Sequence, residues 1–119
     1  LLDARQIDRL TFVGRVRWHT ARVVEFDFQG TVIGWRGPAP YHFVALPDWV
    51  AEQVAELAKA VTYGWGMIPV QASVGGTTWT TSLFAKDGGY VLPVKDAVRK
   101  AESLAIDSVV EVTLSIGGL

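Results

Sequence analysis

"VVEFDFQGTVIGW", residues 23–35, alternates Val24, Phe26 and Phe28 with Glu25, Asp27 and Gln29. A period of two places the apolar side chains on one face of a strand and the polar ones on the other. Gly30 and Gly34 then interrupt the run, and glycines inside a strand suggest bulges where it bends. A long, half-buried, bending strand belongs in a barrel wall.

Upstream, "LTFVGRVRW" (10–18) continues the alternation, with Leu10, Phe12, Gly14, Val16 and Trp18 set against Thr11, Val13, Arg15 and Arg17. It reads as a strand added to the sheet. Downstream, "RGPAP" (36–40) is a turn, and "YHFVAL" (41–46) is a short strand that stops at Pro47. The spacing predicts a helix beginning on Pro47, with Val50, Val54, Leu57 and Val61 facing the core and Glu52, Glu56 and Lys59 facing water. "VQASV" (70–74) and "TTWTTSLF" (77–84) flank Gly75 and Gly76 as a hairpin, in which both glycines supply positive φ.

After the tight turn "AKDGG" (85–89), "YVLP" (90–93) is a strand ended by Pro93. Residues 95–104 form a second helix, with Asp96 early and Arg99 and Lys100 late to match the macrodipole, and with Val94, Val98 and Ala101 turned inward. Asp96 and Lys100 are spaced to pair. "SVVEVTLSI" (108–116) is the last strand and buries Val110, Val112, Leu114 and Ile116.

The expected fold is therefore mainly β with two helices: a small closed or partly open β-barrel of six or seven strands under two short covering helices. Residues 1–22 form an N-terminal arm, 23–116 the barrel domain and 117–119 a short tail. "HFVALPDWVAEQV" (42–54) and "GYVLPVKDAVRKA" (89–101) both run from strand through Leu-Pro into a helix. Either the barrel is duplicated and pseudo-symmetric, or proline is simply reused as a helix starter.

The composition fits one globular domain: 119 residues, half of them apolar, with five Trp, five Phe and three Tyr dispersed along the chain. No apolar run approaches the ~20 residues of a membrane helix, and the charged start "LLDARQIDRL" lacks the apolar centre of a signal peptide. A cytoplasmic protein with no membrane partner is expected. Zero Cys removes disulfides and thiolate chemistry, and two His with no Cys leave no metal site or cofactor to expect. Residues 1–22 carry five Arg and two Asp, while 23–119 carry six basic and ten acidic residues. An acidic body disfavours nucleic acid as a partner.

"FDFQGTVIGWRGPAPYHFVALP" (26–47), "GWGMIPVQASVGGTTWTTSLFAKDGGYVLPVKDAVRKAE" (64–102) and "VVEVTL" (109–114) together resemble the bacterial domain of unknown function nineteen-oh-five. The resemblance covers residues 23–116. It implies a small barrel, in some members joined to a bacteriocin-protection domain of the YdeI/OmpD-associated type, and it implies no reaction and no catalytic residues. Two positions depart from the family pattern. Met67 stands where a basic residue usually follows "GWG", and Asp107-Ser108 replaces a Gly-Asp turn, asking an Asp to take a glycine's conformation. Residues 88–114 are also similar in shape to swapped-hairpin regulators of the AbrB and antitoxin type, which implies a dimer and DNA contacts through Arg99 and Lys100, aided by Arg15 and Arg17.

Trp35, Trp65 and Trp79 lie near turns and strand ends, where they either line a barrel mouth that holds a flat ligand or pack in the core. Arg36 beside Trp35 points to a small anionic or aromatic ligand. His42, between Tyr41 and Phe43, is a further ligand-site candidate and otherwise a structural histidine. Ser82, His42 and Asp87 supply the residue types of a triad, but no "GxSxG" elbow accompanies them. "VGGTT" and "KDGG" lack phosphate-loop spacing. The reading that follows is a non-catalytic small barrel binding a small ligand or a protein partner. Its alternatives are a dimeric DNA-binding regulator and an enzyme of unknown reaction, and a homo-oligomer is compatible with all three.

Overall fold

A computed structural model describes residues 14–35, 41–61 and 67–118. The elements are β1 (Arg15–Thr20), β2 (Val23–Trp35), β3 (Tyr41–Ala45), α1 (Asp48–Val61), β4 (Ile68–Val74), β5 (Thr77–Lys86), β6 (Gly89–Val94), α2 (Asp96–Ala101) and β7 (Val109–Ile116). Hydrogen-bonded neighbours run β1-β2-β3-β6-β5-β4-β7, and β7 returns to β2. Six antiparallel strands thus close a barrel, and β1 is an extra strand outside the ring.

Closure depends on β2. Val24–Thr31 pair with Ile116–Val109 of β7, while Thr31–Trp35 pair with Ala45–Tyr41 of β3 on the other edge. β1 occupies the edge at Val23–Asp27 that β3 leaves open. Neither register of β2 in the ring breaks, so Gly30 and Gly34 are not bulges; the one shift among these pairs lies in β1, between Trp18 and Thr20. Gly30 is needed for close approach instead. A Cβ there would collide with Val44 Cγ1 and stand 3.2 Å from the Ala45 carbonyl.

Val24, Phe26, Phe28 and Val32 of β2 point inward, as the alternation requires, and meet Ile68, Leu83, Leu92 and Leu114 from the other walls. α1 covers this core with Val50 and Val54, which are fully buried, and with Leu57, which is half-buried. Pro47 is the N-cap and not the first helical residue. Its carbonyl accepts from the N–H groups of Val50 (3.0 Å) and Ala51 (2.9 Å).

α2 is shorter than the 95–104 span expected. It ends in a Schellman motif: Leu104 N–H donates to the Arg99 carbonyl at 2.9 Å, Ser103 N–H to that of Lys100 at 3.4 Å, and Ser103 takes φ +53°. Val94 and Val98 are buried, but Ala101 is exposed. Asp96 approaches Arg99 at 3.8 Å, at spacing three and not four.

β6 continues through Pro93, which pairs with Phe43, to Val94, which pairs with His42. The Pro93 carbonyl accepts from Trp79 of β5, so it faces the β5 side of β6. The N–H that proline lacks would face the same side, where the β5 ladder has already ended, and no ladder bond is lost. In the β4–β5 turn only Gly75 is left-handed, at φ +57°; the β5–β6 turn uses Asp87 (φ +51°) and Gly88 (φ +81°), the pattern of a type I′ hairpin. Asp107 takes φ +74°, the left-handed conformation expected of it.

Exchanging β2-β3-α1-β4 with β5-β6-α2-β7 leaves the cyclic strand order unchanged. At the centre Val44 pairs with Leu92, and Leu46 N–H donates to the Tyr90 carbonyl at 3.0 Å. The barrel is thus two interleaved ββαβ halves, but with Val44 matched to Leu92 the N-cap Pro47 corresponds to Lys95, the N-cap of α2, so the two Leu-Pro pairs are two residues out of step.

Candidate functional site

The barrel wall is polar outside on one side and apolar outside on the other. Across β2, β7 and β4 the outward positions are Glu25, Asp27, Gln29, Glu111, Thr113, Gln71 and Ser73. β1 adds Arg15 and Arg17 to that side, opposite Asp27 and Glu25. Arg17 Nη2 lies 2.9 Å from Asp27 Oδ2 and also pairs with Glu25; Arg15 Nε lies 3.8 Å from Asp27, and His19 Nε2 3.1 Å from Glu25. Thr113 Oγ1 donates to Asp27 Oδ1 at 2.8 Å. Partial burial pushes the Glu25 carboxyl up, but the hydrogen bonds and charges of Arg17 and His19 outweigh it and hold the group below its ordinary value.

On the far side, the outward positions of β3, β6 and the end of β5 are Phe43, Ala45, Val91, Pro93 and Phe84, joined by Ile33 and Trp35 at the end of β2. β5 and β6 pair only from Phe84↔Val91 to Lys86↔Gly89 and then separate. This divergence, beside the β3–β6 ladder, leaves a groove of about 820 Å³ lined by Trp35, Phe43, Phe84, Val91 and Pro93, with Lys86 and Asp87 at the turn. Trp35 is 47% and Phe84 40% exposed. The Lys86 ammonium lies 4.1 Å from the centroid of the Trp35 ring.

Of the candidates read from sequence, Trp35 lines this groove. Arg36 and Trp65 lie outside the described residues. Trp79 is not at a mouth: it is buried in the core, with its Nε1 donating to the Pro93 carbonyl at 3.0 Å. His42 shares the inner side of β3 with Val44 and is half-buried; its Nδ1 is buried without a hydrogen-bond partner. Among the described residues no hydrogen bond joins His42 to Ser82 or Asp87, and no cluster of three or more His, Cys, Asp or Glu is placed to hold a metal ion. Lys100 is exposed on α2, while Arg99 is half-buried beside Asp96. Arg15 and Arg17 lie on the opposite edge strand, engaged with the acidic stripe of β2.

Phe43, Phe84, Lys86, Val91 and Pro93 escaped the sequence reading. For Val91 and Pro93 the signal was present in "YVLPV" (90–94), an unbroken apolar run where a strand with one wet face would alternate. No described helix is long and apolar enough to cross a membrane.

Among curated proteins, none is significantly similar to this chain. A family model does match, over residues 28–114, which takes in the barrel from the middle of β2 into β7 and both walls of the groove; the chain belongs to the family described as Domain of unknown function (DUF1905).

Proposed function

We propose that this barrel is a non-catalytic binding module and that its ligand, a small molecule with a flat aromatic ring, lies in the groove over Phe43, Val91 and Pro93. The observation that carries the reading is the change in character of the outer wall. A strand exterior is normally wet and polar, as it is at Glu25, Asp27 and Thr113, yet here it turns apolar where it also becomes concave. Trp35, Phe43 and Phe84 offer flat faces, and the groove has ample room for a ligand of two fused rings.

Titration of naphthalene and indole derivatives into the full chain, followed by Trp fluorescence, tests it. A saturable response in the wild type that is lost in Trp35→Phe supports the groove. A panel that produces no response rejects the small-ligand reading and leaves a protein partner for this face.

A further inference from the structure

Lys86 gives the groove a charge preference. Its ammonium rests over the exposed Trp35 ring at 4.1 Å, and none of the ion pairs among the described residues involves it. Asp87 follows it in the turn and is exposed. The most accessible aromatic face of the groove is thus already occupied by a cation that lacks a carboxylate partner among the described residues.

This arrangement treats three kinds of flat ligand differently. A cationic ring meets a like charge at the rim. A neutral ring reaches the indole face that Lys86 covers by displacing the ammonium, and it offers nothing in exchange for the lost cation–π contact. A ring bearing a carboxylate displaces the ammonium and then pairs with it, beside apolar walls that screen the attraction less than open water does. We infer, building on the groove as the binding site, that its ligand is an aromatic monocarboxylate and that Lys86 selects it by exchanging the Trp35 face for the carboxylate. Asp87 restricts the ligand to one negative charge, because a second anionic group at the turn would meet a like charge.

Calorimetric titration of the full chain with naphthoate and with naphthamide, its uncharged counterpart, tests the inference in the wild type, Lys86→Met and Lys86→Gln. Both variants keep a long unbranched stem and remove the charge, and near-UV circular dichroism verifies their fold. Naphthoate is expected to bind the wild type about ten-fold more tightly than naphthamide, with the advantage falling below about three-fold in both variants and shrinking as salt is raised. Equal affinities in the wild type, or an advantage that survives in both variants, overturns selection by Lys86 and leaves the groove as the site. Failure of both ligands to bind removes the groove reading, and this inference with it.

Discussion

The indole Nε1 of Trp79 donates to the Pro93 carbonyl at 3.0 Å, bridging β5 and β6 beyond the last paired residues of their ladder. One side chain thus satisfies a carbonyl that the strand pairing has abandoned, and it does so directly behind the apolar groove. Trp79→Phe keeps an aromatic ring in the core but leaves that carbonyl without its donor, at an expected cost of about 1–2 kcal/mol. Trp79→Ala adds a cavity and should cost about 3–5 kcal/mol. Urea denaturation of both variants measures this, and a Trp79→Phe protein as stable as the wild type would rule out the bridging role.

Two non-glycine residues in left-handed conformations offer stabilising changes. Ser103 (φ +53°) closes α2, and Asp107 (φ +74°) donates its N–H to the Val32 carbonyl at 2.8 Å. Glycine adopts this conformation without the Cβ penalty, so Ser103→Gly and Asp107→Gly should each raise stability by about 0.5–1 kcal/mol. Asp107→Val should lower it by about 1–2 kcal/mol, since a β-branched residue fits that region worst. Thermal melts of the three variants should fall in that order around the wild type.

Gly30 and Gly76 should respond oppositely to the same added methyl group. At Gly30 a Cβ meets Val44 and the Ala45 carbonyl at the point where β2 changes neighbours, whereas at Gly76 it meets nothing within 4 Å and the backbone is not left-handed. Gly30→Ala should destabilise by about 1–3 kcal/mol, and Gly76→Ala should stay within about 0.5 kcal/mol of the wild type. Comparable losses in the two variants would contradict the packing assigned to Gly30.

The Glu25 carboxyl is held below its ordinary value of 4.5 when folded. A depressed acid contributes stability that is present above the unfolded pKa and lost as the pH falls through the folded one. Because the group is only partly buried, the contribution should stay below about 1 kcal/mol. Chemical denaturation along an acid series should show a shallower loss of stability for Glu25→Gln than for the wild type. Identical acid limbs in the two proteins would refute the role given to Arg17 and His19.

Much of the barrel is written in local patterns. Alternation in "VVEFDFQ" and "VVEVTLSI" assigns Phe26, Phe28, Val112 and Leu114 to the interior, because a strand's period of two leaves no other way to bury them together. The turns at Gly75 and Gly88 are equally local, since positive φ is a property of the residue that adopts it, although Gly76 does not take it. Trp35 was legible as a candidate for the same reason: a large aromatic beside turn residues at the end of such a strand.

What only the tertiary structure decided was which parts of the chain face each other across the sheet. The closure of β2 onto both β3 and β7, and the interleaving of the two ββαβ halves, depend on pairings between residues as distant as Val24 and Ile116. The same distance hid the groove, which Phe43 and Pro93 share although 50 positions separate them in the chain. It also separated the tryptophans: Trp35 and Trp79 both lie near a strand end, but β5 turns Trp79 into the core while β2 ends with Trp35 on the outer wall. Burial is a property of the closed sheet, and no local pattern carries it for a residue whose cover comes from another strand.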